Sequence, residues 1–238
     1  MTVQTLDPIR QRSGGSQFQT DVPPLVAGDY LTRPEFERRY HAHPEIKKAE
    51  LIEGIVYMPS PIRADSHGDP HFLVIGWLAH YQAATPGLRG SDNATLRLDY
   101  FNAPQPDVIL RLDPEYGGRS RIGPDGYLEG PPELIVEIAA NSSNYDMNQK
   151  KDVYARHGVA EYLVLLTLEQ DVAWFVLHDG RYERQEPDAD GILRSQSFPG
   201  LHLQPAAIWS NDLPALLAVL QQGLASPEHA SFVERLQG

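Results

Sequence analysis

The sequence predicts an α/β fold, a mixed central β-sheet flanked by helices. Three observations carry that expectation. PDVILRL, ELIVEIAA and EYLVLLTL are apolar runs of strand length, and a helix-like segment from about Tyr145 to His157 separates the last two. Strand, helix and strand in that order form the unit that builds a parallel pair. Glu53-Gly54 and Asp179-Gly180 each fall between apolar runs, where hairpin turns would add antiparallel neighbours. HFLVIGWLAHYQAA is apolar over more than strand length and reads as a buried helix.

Taken in order, residues 1 to about 25 are rich in Gln, Ser, Gly, Thr and Pro, which predicts a flexible tail. LTRPEFERRYHAHPEIKK predicts a short helix followed by a polar turn, and AELIEGIVYMP a hairpin bent at Glu53-Gly54. The helix from about His71 to Ala84 is stopped by Pro86-Gly87. ATLRLDYF alternates, with Leu96, Leu98 and Tyr100 on one face, and predicts a half-buried strand. PDVILRL is the next strand. DPEYGGRSRIGPDGYLEGPP, with five glycines and four prolines, predicts a long loop. In ELIVEIAA, Leu134, Val136 and Ile138 face one way, and Ile135, Glu137 and Ala139 the other. Asn141 to Asn144 offers capping residues for a helix that ends at Gly158 as a left-handed cap. EYLVLLTL and the hairpin VAWFVLHDGRYERQ follow. DLPALLAVLQQGL and SPEHASFVERL are C-terminal helices.

With 238 residues, 41% hydrophobic and 22% charged, the chain can bury a sizeable core as an ordinary soluble protein. It has no cysteine, so disulfides, thiolate metal sites and cysteine catalysis are excluded. No stretch has the length and apolarity of a signal peptide core or a membrane span, and a cytoplasmic location is expected. Acids outnumber bases 32 to 20, giving a net charge of −12, and this argues against tight autonomous binding to nucleic acid.

The chemistry concentrates on two carboxylates placed on apolar strands, Asp107 and Glu137. Charge there is costly unless a metal or a basic partner offsets it. Lys150 follows, one helical turn from both Asp146 and Tyr154, and can point back to the sheet. Two carboxylates and a lysine suffice to hold a magnesium ion and to hydrolyse a phosphodiester. A second reading of the same residues is structural: Glu137 pairs with Lys150 or an arginine, and Asp107 caps a turn after Pro106. Lys151 competes with Lys150 on spacing alone. His67 and His71 have the i, i+4 spacing of a zinc helix, but Asp69-Pro70 stands where a metalloprotease motif has its glutamate, and a polar rim fits better. Ser142-Ser143 lacks a hydrolase nucleophile turn and reads as helix capping. Arg119 and Arg121, beside Gly117-Gly118, read as solvated loop residues. No glycine pattern for a nucleotide or other organic cofactor occurs.

The order PDV, PELIVE, Asp146, Lys150, Tyr154, Gly158-Val159 and Glu161-Tyr162 resembles the putative restriction endonuclease family of uncharacterised bacterial proteins, part of the PD-(D/E)xK nuclease superfamily. The resemblance runs from AELIEG to LHLQPAAIW. It implies a restriction-endonuclease-like domain over residues 26–210, with helices over 211–238. It also implies a magnesium-dependent DNA endonuclease, with manganese as a possible substitute, or a nuclease-fold binding or regulatory module that no longer cleaves. Pro106-Asp107 matches the PD, and Glu137 the second acid. Ala139 stands where the superfamily lysine would, and Lys150 is the matching amine. Glu50 and His67 are implied as accessory residues. A homodimer is expected, from the resemblance and from the mismatch between an acidic chain and a duplex substrate.

Overall fold

A computed structural model describes residues 22–58, 63–140 and 143–238. Six strands form the main sheet. They are β3 (Leu88–Asp92), β4 (Val108–Leu112), β5 (Leu134–Ala139), β6 (Glu161–Leu166), β7 (Asp171–His178) and β8 (Arg181–Arg184), which lie side by side in sequence order. Before them, β1 (Glu50–Ile52) and β2 (Ile55–Tyr57) make a separate hairpin. Neighbours in the main sheet are antiparallel except β5 and β6, which pair in parallel from Leu134↔Glu161 to Ala139↔Leu166. The chain between those two crosses over through a helix, the α/β unit expected from the sequence.

Helices α1 (Arg33–Ala42), α2 (Asp69–Ala84), α3 (Lys151–His157), α4 (Pro205–Trp209), α5 (Leu213–Leu224) and α6 (Pro227–Gln237) surround the sheet. One face of β5 presents Leu134, Val136 and Ile138 to a core shared with Leu73, Val74, Trp77, Leu78 and Tyr81 of α2. Leu216, Leu220 and Phe232 of the C-terminal helices belong to the same core, so these helices complete the domain. Trp77 meets Trp174 edge-on at 6.1 Å between ring centroids, fastening α2 to β7. Such a pair contributes about 0.5–1.5 kcal/mol beyond its buried area. Opposite, Ile109, Ile135, Ala139, Tyr162 and Val164 pack with Tyr154 and Val159 of the crossover. The period-two alternation along β5 therefore sends Glu137 to the crossover side.

Several expectations change in detail. ATLRLDYF supplies only a two-residue strand, Leu96–Arg97, which pairs in parallel with Leu128–Glu129. The Asp99 carboxylate accepts from the Phe101 N–H and the Asn102 side-chain amide, and this turn ends the ladder and leaves Tyr100 exposed. The long loop holds a short 3₁₀ turn and two small strands, Arg121–Ile122 and Leu128–Glu129. LRGSD, unassigned from sequence, is the edge strand β3; only Leu88 is buried, so no apolar period marks it. Helix α2 starts at Asp69, after a π-helical turn over Ala64–Gly68, and Phe72 on it is exposed. Leu25, inside the expected tail, is buried with Phe36 and Leu51. Residues 1–21 of it, and Asn141 and Ser142 of the expected cap, lie outside the described residues. Among the described residues, no helix is long and apolar enough to cross a membrane.

The turns at Glu53-Gly54 and Asp179-Gly180 have both residues at positive φ, as two-residue hairpin loops require. Gly54 is needed for a second reason: a Cβ there would lie 2.6 Å from the Tyr30 ring.

Candidate active site

Antiparallel register brings the two strand carboxylates together. Val108 is opposite Val136 and Ile109 opposite Ile135. One residue further along, Asp107 falls opposite Glu137, and directly opposed residues project to the same face. The Ile138 N–H donates to Asp107 Oδ2 at 2.8 Å, closing the end of the ladder with a side chain. Both carboxylates are buried.

Glu137 is met from the crossover. After Ser143–Tyr145 the chain makes a π-helical turn, Asp146–Lys150, before α3 begins. That wider turn sets Asp146 and Lys150 facing inward. Lys150 Nζ lies 2.9 Å from Glu137 Oε1, 2.9 Å from Glu50 Oε1 and 3.6 Å from Asp146 Oδ1. The Tyr154 hydroxyl also donates to Glu137 Oε1, at 3.0 Å, so both bonds to this carboxylate fall on one oxygen. Glu50 enters from β1, where it also accepts from the Gln105 N–H at 2.8 Å. The Tyr145 ring lies 5.4 Å from the ammonium, and the Tyr57 ring packs against Tyr145 at a tilt, 4.3 Å between centroids. Lys150 is thus enclosed on all sides, with its side chain 4% exposed.

Electrostatics follow from this crowding. Burial pushes the Lys150 ammonium down, but Glu137, Glu50 and Asp146 outweigh it and hold the group well above its ordinary value, so it stays charged. Burial pushes Glu137 up; Lys150 opposes this, and the neighbouring Asp107, Asp146 and Glu50 reinforce it.

Asp107 has different company. Oδ1 accepts from Lys48 Nζ at 3.1 Å, and the same ammonium donates to Asn93 Oδ1 at 2.8 Å. Asn93 takes a left-handed φ of 49° and gives its N–H to the Asp107 carbonyl at 3.1 Å. Burial raises the Asp107 carboxyl, yet Lys48, His67, the Ile138 N–H and Lys150 together bring it below the usual range. His67, on the π-helical turn before α2, uses Nδ1 toward the Ile138 carbonyl at 3.0 Å. Its Nε2 is 3.6 Å from Asp107 Oδ1 and has no hydrogen-bond partner although it is buried. Burial lowers the His67 pKa, and the Asp107 carboxylate opposes that shift.

The structure therefore brings together Asp107, Glu137, Lys150, Glu50 and His67 around the ends of β1, β4 and β5. Lys151 is elsewhere, with its ammonium 5.0 Å from the centre of the Phe175 ring. His71 Nε2 faces the Asp107 carbonyl at 3.2 Å and Asp92 Oδ1 at 3.1 Å. It belongs to the polar rim, and its ring meets that of His67 edge-on at 5.6 Å between centroids. Arg119 is tied to the Gly158 carbonyl at 2.6 Å and Arg121 to Glu129 at 3.3 Å. Sequence reasoning overlooked Lys48 and Asn93. A signal was present for the first, since Lys48 precedes Glu50 by two residues and alternation puts both on one side of the extended chain.

The sequence pattern of a family named Uma2, described as putative restriction endonuclease, matches residues 33–206. No curated protein sequence matches the chain. Among solved structures, a putative nuclease belonging to DUF820 from Anabaena variabilis is similar, with a TM-score of 0.60 at 18% identity over 76% of this chain and 98% of that one. At that identity the likeness concerns the fold, which is that of the mixed sheet and flanking helices described above.

Proposed function

The chain belongs to the Uma2 family of putative restriction endonucleases, and from that premise we propose that it is a nuclease. In this reading it is a magnesium-dependent DNA endonuclease in which Asp107 and Glu137 hold the ion, with Lys150 beside Glu137. The observation that carries the reading is two buried carboxylates at the end of a sheet, Asp107 bonded to the Ile138 N–H next to Glu137, with a buried ammonium on Glu137.

The residues fit a divalent ion. Glu50 and Glu137 share the Lys150 ammonium and Asp107 takes that of Lys48, three buried carboxylates against two cations, a surplus of negative charge that a dication would offset. His67 Nε2, buried without a hydrogen-bond partner 3.6 Å from Asp107 Oδ1, is a further nitrogen at the Asp107 side of the site. Among the described residues no group of three or more His, Cys, Asp or Glu forms a ready-made cage. Magnesium is satisfied with one or two carboxylates, its remaining positions going to water and phosphate oxygens, and manganese accepts similar oxygen donors. When bound, the ion supplies Lewis acidity and neutralises charge building on the phosphoryl group.

The protein groups divide the remaining work. Lys150, held between Glu50 and Glu137, fixes the position of Glu137 and places positive charge behind it without reorganising during the reaction. Tyr154 orients the same carboxylate. His67 stands at the Asp107 side as an accessory group. In this reading the chain works as a homodimer, which lets two sites address the two strands of a duplex despite the acidic surface. Sedimentation as a dimer at micromolar concentration is the expected result; a stable monomer would remove that part.

A second reading has its own observation. Lys150 already neutralises part of the carboxylate cluster, as it would in a nuclease fold that binds without cutting. The experiment that separates the two is incubation of the full chain with panels of duplex DNA, single-stranded DNA and RNA, with Mg²⁺, Mn²⁺ or chelator. Cleavage that needs the metal and is lost with chelator supports the nuclease; metal-independent binding without cleavage supports the alternative.

A further inference from the structure

We infer that Lys48 supplies the amine that meets the reacting phosphate, a role nothing in the family pattern of PD and second acid assigns to it. The inference rests on the nuclease reading above and specifies its chemistry. The superfamily lysine is absent: position 139 carries a methyl group, fully buried against Tyr154 and Val164. Lys150 provides an ammonium, but three carboxylates and the Tyr145 ring enclose it, and its side chain is only 4% exposed. To touch a phosphodiester, Lys150 would have to leave two contacts of 2.9 Å and strand Glu50 and Glu137 without their cation.

Lys48 is placed differently. Its side chain is 21% exposed, and Nζ sits on Asp107 Oδ1, the oxygen that His67 Nε2 also faces. An ammonium has three N–H donors. Two are directed at Asn93 Oδ1 and Asp107 Oδ1, which leaves one for an anion arriving from solvent. The anchors are themselves fixed: the Asn93 backbone N–H bonds the Asp107 carbonyl, and His71 holds the neighbouring Asp92. The four-carbon stem can therefore move its charge from Asp107 to a phosphate oxygen over a short distance, without unmaking the buried cluster. An ammonium preorganised at this rim would stabilise charge developing on the phosphoryl group. The two lysines thus do different things. Lys150 acts from inside through Glu137, as a positioning residue, and Lys48 acts from the solvent side on the substrate.

The test compares the unaltered chain with Lys48→Ala, Lys48→Arg and the neighbouring Lys47→Ala, on whichever nucleic acid the unaltered chain cleaves. Lys47 bonds the Pro44 carbonyl outside the site. The expected result is a loss of about 10²-fold or more in kcat for Lys48→Ala, the scale of one preorganised donor, with KM nearly unchanged. Partial recovery is expected in Lys48→Arg and full turnover in Lys47→Ala. Mn²⁺ binding, followed by the electron-spin signal of the free ion, should stay close to that of the unaltered chain, whereas the thermal midpoint of Lys48→Ala should fall because Asp107 loses its ammonium partner. Full turnover in Lys48→Ala would overturn the inference, as would a defect confined to KM. Should Lys48→Ala not fold, a folded Lys48→Gln, which keeps a polar group but no charge, with wild-type kcat would overturn it, and reduced kcat would support it. No cleavage of any substrate by the unaltered chain would instead overturn the nuclease reading, and this role with it.

Discussion

Lys150→Met is expected to destabilise the fold by about 3–5 kcal/mol, the scale for removing one partner from a buried ion pair. The substitution leaves Glu50, Glu137 and Asp146 facing one another around an apolar side chain. Burial already raises the Glu137 pKa, and without the ammonium the three neighbouring carboxylates would press it higher unopposed. Chemical denaturation should show a midpoint far below that of the unaltered chain with little change in slope, and any folded fraction should cleave about 10²-fold more slowly. Lys151→Ala is the natural comparison. Its ammonium loses only the face of Phe175, worth about 0.5–1 kcal/mol at an exposed site, and turnover should be unaffected. Equal effects of the two substitutions would refute the distinct placement of these adjacent lysines.

Asp107→Asn should remove metal-dependent cleavage, by about 10³-fold or more if the carboxylate is a ligand. The amide keeps an oxygen for the Ile138 N–H, so the strand end should persist and the fold should survive. Stability has a pH signature here. Lys48, His67 and the Ile138 N–H hold the Asp107 pKa below its ordinary value against burial, so the group binds protons less readily folded than unfolded. Its stabilisation is therefore complete above the ordinary carboxylate pKa and is lost as pH falls through the folded value. The deficit of Asp107→Asn relative to the unaltered chain should be largest at neutral pH and should vanish in acid. Thermal melts across that range check it; a deficit that grows on acidification would contradict the sign.

Much of this architecture can be read from residues, for identifiable reasons. Alternation over the five apolar residues of β5 assigns its two faces, and so the side to which Glu137 points, because a strand has a strict period of two. The crossover and its Gly158 cap are legible because helix and strand periods switch there. Asp107, Glu137 and Lys150 stand out as charges where charge is costly. Other features leave no local trace. A π-helical turn has no residue signature, yet two of them deliver His67 and the Asp146–Lys150 pair to the site. β3 hides because an edge strand with one buried residue carries no apolar pattern. ATLRLDYF misleads in the opposite direction, since its alternation is real but the turn at Asp99 ends the pairing. Lys48 reaches Asp107 across 59 positions of sequence, and only tertiary structure brings such distant groups together.

The central claim is that the opposed carboxylates of β4 and β5 hold a divalent ion. The most direct measurement is anomalous diffraction at the manganese edge from crystals of the full chain equilibrated with Mn²⁺. The account predicts one strong peak bonded to carboxylate oxygens of both Asp107 and Glu137, at about 2.0–2.3 Å, and no such peak in Asp107→Asn. Density that leaves Asp107 and Glu137 without a metal, with Lys150 and Lys48 as their only cationic partners, would contradict it.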